Sequence, residues 1–490
     1  MLEVRLDRAL PGSLPAGSAT TIFFVGSCFH PEQRITQLEV VVDGVAHRTD
    51  AHGLPRPDIA VANASAAARA YFSGFWATVP ITVPDRSQPI EVALAADLAD
   101  GQRLEQRLGE ITVSRRPAVA PVDAPPVAGT IAICMATFDP DEALFRAQVE
   151  SLRSQTDEDW ICLISDDCSA PERFERLVHV VAGDRRFTIS RSEQRLGFYR
   201  NFERALELVP AGIELVALCD QDDRWHPDKL AVLRGAIGDA VLVYSDLRLV
   251  EADGRVRRTT FWQDRRNNYD NLASMVIANT ITGAAAMFRR ELIDLAVPFP
   301  DTPGFQFHDH WLAVVALTAG PVAYVDRPLY DYVQHPGAVF GDVTHGARDR
   351  AGPRTRRGLV RGISDRRSIP RWRAGYFFGY LSRRAQAQTA LIRCESRLEA
   401  GKRRALERFI AADSSLVALA WLLCRAVRVL FGQTETLGTE IELAQGIVWK
   451  HLIAVRSRYW HHRRGPLSDA SVPPPQAFVQ KRLRRWRATI

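Results

Sequence analysis

Apolar and polar positions alternate with a period of two along the first 115 residues. The runs Leu2–Leu6, Thr20–Val25, Leu38–Val42, Ala77–Val83, Ile90–Leu94 and Gly109–Val113 are alternating or β-branched, as half-buried strands are. Asp43-Gly44 and Asp100-Gly101 stand between some of them and are turn dipeptides. Several short strands with no helical period predict a small β-sandwich or barrel. The stretch RRPAVAPVDAPPVAG, which ends at Gly129, is rich in Pro and Ala and predicts a linker over 116–129.

From Thr130 the pattern changes to strand-like runs separated by helical ones. The strands are expected at Ile131–Ala136, Trp160–Ile164, Phe187–Ser190, Leu215–Cys219 and Ala240–Tyr244. Helices are expected near Asp141–Ser154, Pro171–Val181, Tyr199–Leu208 and Pro227–Ile237. This alternation predicts an α/β fold, a parallel sheet with helices on both faces. The region from about 250 to 345 is mixed, with a hairpin signal at Asp253-Gly254 and an amphipathic helix near Asp309–Thr318. Beyond 346 the chain is Arg-rich and then helical. In Ser414–Gly432 one face carries Ser414, Ala418, Trp421, Arg425 and Arg428. The other carries Leu416, Val417, Ala420, Leu423, Val427 and Leu430. Such a helix has two uses, lying in a membrane interface or packing on the body of the protein, and the pattern does not choose between them.

Composition adds little to this picture and charge adds more. A 490-residue chain has room for two or three domains, and 46% hydrophobic with 24% charged residues is ordinary for a globular protein. The seven cysteines are scattered without a CxxC pair. They read as reduced core residues of a cytosolic protein, not as a disulfide framework or zinc site. The start MLEVRLDRAL lacks the apolar core of a signal peptide. Residues 346–490 hold 30 Lys+Arg against 10 Asp+Glu, while the rest of the chain holds 33 against 47. A basic tail on an acidic body suggests an anionic membrane surface or a solvated helical face that simply uses Arg. No stacking motif accompanies it, so nucleic acid is not an expected partner.

The chemistry gathers at the ends of the expected strands. The first ends in Ala136-Thr137-Phe138-Asp139-Pro140, the second in Ser165-Asp166-Asp167-Cys168-Ser169, the fourth in Asp220-Gln221-Asp222-Asp223. Open α/β sheets bind ligands at the carboxyl ends of their strands. Carboxylates grouped after an apolar strand are costly unless a cation meets them, and hard divalent cations take oxygen ligands. Asp220 and Asp222 are placed to reach a metal that bridges a diphosphate. Neither GxGxxG nor GxxxxGK[ST] follows the first strand, which disfavours a dinucleotide dehydrogenase and a P-loop NTPase. His308-Asp309-His310 has the HxH spacing of a metal site. A hard cation already supplied with carboxylates makes that reading the weaker one, and the histidines then position Asp309 or face an acceptor.

Seven segments occur together in order: ATFDPD (136–141), ISDDCSAPE (164–172), RLGFYRNFERAL (195–206), CDQDDRWHPDKL (219–230), TGAAAMFRREL (282–292), FHDHW (307–311) and YVQH (332–335). By these segments the chain from about 130 to 340 resembles a family 2 glycosyltransferase with a GT-A fold, and is most similar to the rhamnosyltransferase-like members. The resemblance implies a GT-A domain over 130–345, beside a β-rich accessory domain over 1–115 and a basic helical region over 346–490. It implies that Thr137, Asp139, Asp166 and Asp167 line the nucleotide pocket. Arg195, Gly197 and Asn201 match the segment that closes over the nucleotide-sugar. Asp220 and Asp222 match the pair that holds Mg2+ or Mn2+, Asp223 leans toward the sugar hydroxyls, and Gly283 shapes the sugar and acceptor pocket. Asp309 matches the catalytic base. Gln334 and His335 match a Gln-His pair near the metal and leaving diphosphate, which makes His335 an expected metal ligand beside Asp220 and Asp222. Relatives often carry an Asn a few residues later; here the run is QHPGAVFG.

The implied activity is an inverting, metal-dependent transfer from a dTDP- or UDP-linked sugar, a rhamnose-like deoxyhexose being favoured. The acceptor would be a growing surface polysaccharide or a lipid-linked glycan. The enzyme would be cytoplasmic, on the inner face of the plasma membrane, and is compatible with a homo-oligomer. A galactofuranosyl or other hexosyl donor and a non-catalytic glycan-binding protein are the competing readings. The intact Asp220, Asp222 and Asp309 weigh against the last.

Overall fold

A computed structural model describes residues 1–85, 88–115, 130–263, 265–304, 307–335 and 369–463. The expected linker 116–129, the run after His335, the Arg-rich stretch to 368 and the terminal KRLRRWRATI lie outside the described residues.

The period-two runs at the start of the chain form two sheets. One orders its strands Glu3–Leu6, Ala19–Phe29, Gly74–Thr82, Ala51–Leu54. The other orders Ser13–Pro15, Arg103–Ser114, Ile90–Leu98, Ile35–Val42, Val45–Arg48. Their inner faces meet through Ile22, Phe24, Phe75 and Val79 on one side and Leu38, Val40, Val92 and Leu94 on the other, the inward alternation of a sandwich. Short helices at Pro57–Ala62 and Ala67–Tyr71 interrupt the strands. Their composition carried no warning of them. They are too short to show a helical period.

The third sheet orders its strands Phe187–Arg191, Trp160–Asp166, Ile131–Thr137, Leu215–Cys219, Ala286–Arg289, Leu242–Glu251, Val322–Gln334 and Arg224–Trp225. The first four are parallel. Leu242–Glu251 keeps the direction of those four across an inserted neighbour, so the strands expected from the alternation are parallel to one another, and the insertion comes from the mixed region after 250. Ala286–Arg289 runs antiparallel between Leu215–Cys219 and Leu242–Glu251. Arg224–Trp225 also pairs antiparallel with the long strand Val322–Gln334. The inserted strand is only four residues long, short enough to escape a periodicity reading. The parallel half still has its order reversal at Ile131–Thr137, so the crevice opens beyond Thr137, Asp166 and Cys219.

The carboxyl-terminal helices brace both sheets. Trp76 of the sandwich packs on Tyr376, Phe377 and Trp449 and donates its indole N–H to the Tyr376 hydroxyl at 3.2 Å. Arg384 lies 2.5 Å from Asp50 and 3.5 Å from Asp413, and Lys450 lies 3.0 Å from Asp413. Arg393 donates to the carbonyls of Ala19 and Ala296, at 2.6 and 2.8 Å. It thus joins the sandwich to the helix Glu291–Ala296 of the α/β domain through one guanidinium. Helix Thr439–Arg463 approaches Gly375–Leu381 so closely that a Cβ on Gly446 would lie 2.5 Å from the Tyr376 nitrogen. No single described helix is long and apolar enough to cross a membrane. One pair, Ala400–Ala411 and Leu416–Val427, meets that test only together and is bent by 104°.

Candidate active site

The crevice floor is a set of buried polar groups satisfied by one another. Asp166 accepts from the Thr137 hydroxyl at 3.1 Å, the Ser169 hydroxyl at 2.5 Å and the Ser169 N–H at 3.0 Å. Asp167 accepts the N–H groups of Leu196 and Gly197 at 2.5 and 2.9 Å. The Asn201 amide donates to the carbonyls of Thr137 and Ser165 and accepts from the Ser165 hydroxyl. Thr137, Asp166, Asp167 and Asn201 are all buried. Asp166 and Asp167, expected to line the pocket, act here as struts. Asp167 fixes the 195–197 segment, where Gly197 takes φ 82° as the helix Phe198–Glu207 begins, a conformation that favours glycine.

What faces outward at this end is Phe138, Asp139 and Arg195. The Arg195 guanidinium lies 3.9 Å from the Phe138 ring centroid, in cation–π range. Asp139 is exposed, takes φ 40°, and accepts the Ala170 N–H at 2.7 Å. Gln221 bonds both the N–H and the C=O of Phe138, at 2.8 and 3.2 Å. This clamp ties the acidic turn to the first strand. Sequence reasoning passed over Gln221, because a glutamine between aspartates has no distinguishing local pattern.

The acidic turn and the helix His308–Ala319 come together across the crevice. Burial pushes the Asp220 carboxyl up to about 7, and the charges of Asp222 and Asp309 push in the same direction. Burial likewise raises Asp309 to about 7, against the opposing pull of hydrogen bonds from the His310 and Gly283 backbone and the Asn279 amide. Asp223 accepts the Val333 N–H at 3.1 Å; its other oxygen is buried with no hydrogen-bond partner among the described residues. Its carboxyl is held well above the usual range, first by burial and then by Asp220 and Asp222. Tyr332 faces all four carboxylates: Asp223, Asp220, Asp222 and Asp309 each raise its hydroxyl further after burial has done so.

Lys229 is the buried cation under this cluster. Its ammonium donates to the Ala284 carbonyl and lies 3.4 Å from the Trp225 ring centroid and 4.9 Å from that of Tyr330. Burial pulls it down to about 7, while Cys219, Asp223 and Asp220 hold it up. The chain of contacts runs from Lys229 to Ala284, and from the adjacent Gly283 to Asp309. The two halves of the crevice are therefore mechanically joined. A lone lysine opening the apolar run KLAVL was the available signal for this residue.

The two histidines beside Asp309 turn to different partners. The His308 ring stacks on Phe202 with centroids 3.6 Å apart and planes 19° apart. His310 Nε2 meets the Met275 carbonyl at 2.8 Å. Burial drives both imidazoles down to about 3, so both are neutral. Gly283 packs against this stack: a Cβ there would lie 2.6 Å from His308 Nε2. Phe202 blocks the ring's retreat. Gly283→Ala is therefore expected to push the start of the Asp309 helix aside and lower kcat by about tenfold or more. Steady-state kinetics well below the melt checks this: overpacking should lower Tm, and kcat should stay low where the variant is fully folded.

His335 Nε2 lies 2.9 Å from the Asp222 carboxylate. Among the described residues no three His, Cys, Asp or Glu side chains converge to hold an ion by themselves. Of the expected set Asp220, Asp222 and His335, the last two are already in contact with each other. The donor chemistry still suits a divalent cation. Asp220 and Asp222 are partly exposed, no Lys or Arg among the described residues is ion-paired with either, and Mg2+ is commonly held by one or two carboxylates plus substrate phosphates. On the far side of His335 an open cavity of about 430 Å3 is lined by Glu251, Ala252, Asp253, Arg257, Gln334 and His335.

A half-Rossmann sheet with carboxylates at its switch point defines an α/β domain of the kind that binds ligands at the carboxyl ends of its strands. Residues 132–295 match the model of Glycosyl transferase family 2, a likeness confined to the segment that carries most of this sheet. A curated relative, the uncharacterized protein y4gI of Sinorhizobium fredii, is 30% identical over 120 residues. The match covers 24% of this chain and 13% of that protein, so the chain spans only a small part of its length. Among solved structures, S. aureus TarS 1–349 in complex with UDP-GlcNAc aligns with TM-score 0.39 and 15% identity. That alignment covers 68% of this chain and 92% of that one. The mannosyltransferase PcManGT from Pyrobaculum calidifontis, in complex with GDP-Man and Mn2+, aligns with TM-score 0.34 and 18% identity, covering 69% and 91%.

Proposed function

We propose that this protein transfers a sugar from a nucleotide-sugar to a glycan hydroxyl by direct displacement, with inversion at the anomeric carbon. One observation carries the reading: two partly exposed carboxylates, Asp220 and Asp222, face a third, Asp309, across a crevice at the sheet's switch point. The two sides suit opposite tasks. Asp309, held close to neutrality in its proton affinity, takes the proton of the acceptor hydroxyl, as general-base work requires. Asp220 and Asp222 would hold Mg2+ or Mn2+, which when bound offsets charge on the departing diphosphate. His335 orients Asp222. Asp223 and the Gly283 turn border the sugar, Lys229 holds that turn, and Phe138, Asp139 and Arg195 border the nucleotide. Thr137, Asp166, Asp167, Gly197 and Asn201 frame the pocket from beneath.

A dTDP- or UDP-linked deoxyhexose of the rhamnose type is the donor we favour, on the DQDD and W-x-P-x-K-L segments; a galactofuranosyl donor is the alternative. The acceptor we propose is a growing surface polysaccharide or lipid-linked glycan. The site of action is the inner face of the plasma membrane. A thermal-shift and NMR screen of nucleotide-sugars with Mg2+ and Mn2+ tests the reading. Cation-dependent binding of one nucleotide-sugar supports it. No binding of any member, with or without cation, overturns it.

A further inference from the structure

Helix Leu416–Val427 is apolar on two sides. Its inner side packs: Ala418, Leu419 and Leu422 are buried. Its outer side does not. Leu416 is 82% exposed and Val417 80%, and Ala420, Leu423, Cys424 and Val427 continue the same exposed stripe at helical spacing. Phe431, just beyond, is 79% exposed. The helix Thr439–Arg463 packs against it and shows the same division. Leu443, Ala444 and Ile447 are buried, while Val448, Leu452 and Val455 stand outward, the last two 58% and 62% exposed. Two neighbouring helices therefore present apolar stripes to the outside. Soluble monomers seldom leave such a surface uncovered.

The charges around these stripes indicate what covers them. No Asp or Glu occurs from Ser414 to Thr434, or from Leu443 to Ser468. Arg456 is exposed at the end of the second stripe, and Arg404 and Arg408 are exposed one turn apart on the helix that precedes the first. Apart from the exposed Glu407 beside Arg408, the apolar stripes are bordered by arginine without carboxylate, and such a surface complements an anionic bilayer, where apolar burial and attraction to headgroups add. A second copy fits less well, because two such faces would bring like charges together. We propose that this face, made by Leu416, Val417, Leu423, Val427, Leu452 and Val455, docks on an anionic lipid surface. The inference rests on the inner-face localisation given above and not on the sugar chemistry. It assigns a peripheral contact, since the helices that carry the stripes are packed on the enzyme by their other sides.

The test is sedimentation of the full-length protein with vesicles of phosphatidylcholine alone or mixed with phosphatidylglycerol, at low and high salt. The expected result is binding to the anionic vesicles, weakened by salt and reduced by about tenfold or more in Val417→Asp/Leu452→Asp. Both positions are exposed, so the variant should keep its melting temperature and its transfer rate on a soluble acceptor. Absence of binding to anionic vesicles overturns the proposal, as does undiminished binding by the variant. So does a concentration-dependent dimer in sedimentation velocity that the variant abolishes, because the face then belongs to a second copy. A protein that binds vesicles but transfers no sugar would sink the activity and leave the surface standing.

Discussion

Asp309→Asn should reduce sugar transfer by at least about a hundredfold while sparing donor binding. The side chain keeps its shape and can still meet the Gly283 N–H, but it has no basic oxygen to take the acceptor's proton. The wild-type pH dependence follows from the same carboxyl. Burial raises it to about 7, so the basic form fills only as pH climbs through that value. Transfer should therefore rise between pH 6 and 8 and level off above. Stability should move the other way. A carboxyl whose folded pKa exceeds its unfolded value contributes stability that is complete below the unfolded pKa and is lost as pH rises through the folded one. Ligand-free protein should melt lower at pH 8 than at pH 6, and Asp309→Asn should remove part of that decline. Asp220, held at about 7 by burial and by Asp222 and Asp309, accounts for a further part. Tyr332 also faces Asp309, and its hydroxyl stays protonated throughout this range. Rate profiles on both proteins and melts across this range check the expectation. Full activity in Asp309→Asn would end the assignment of the base.

Asp222→Ala is expected to weaken cation-dependent binding of the nucleotide diphosphate by more than about tenfold, with little change in binding measured without cation. Asp222 is partly exposed, and its only ion-pair partner among the described residues is His335, at 2.9 Å. Its loss leaves Asp220 facing the diphosphate alone. Titration calorimetry with and without Mn2+ separates the two contributions. Equal affinities in the variant and the parent, with the cation present, would remove Asp222 from the cation site. The two substitutions report on opposite halves of the reaction. Asp309→Asn should lower kcat and leave donor affinity, whereas Asp222→Ala should lower donor affinity first.

Much of this site was legible in the chain, and the reasons are local. The carboxyl ends of the parallel strands were marked by Thr137, Asp166 and Asp220, because an apolar run that stops at a carboxylate is a strong signal. Asp309 stood at the head of an apolar helix for the same reason. The roles were less legible than the positions. Asp166 and Asp167 look identical in sequence to Asp220 and Asp222. Only the fold shows that the first pair is buried and matched to Ser169, Leu196 and Gly197, while the second remains partly open.

The sequence by itself determined the elements of the parallel half-sheet, the period-two strands of the sandwich, and which residue types stand at the strand ends. Each of these follows from backbone periodicity and from contacts close along the chain. The tertiary structure alone decided the antiparallel insertion of Ala286–Arg289, the link from Lys229 through Ala284 and Gly283 to Asp309, and the outward turn of Leu416, Val417 and Val427. Those depend on which distant segments meet. Whether a polar group is satisfied, or an apolar face covered, is settled by neighbours from elsewhere in the chain.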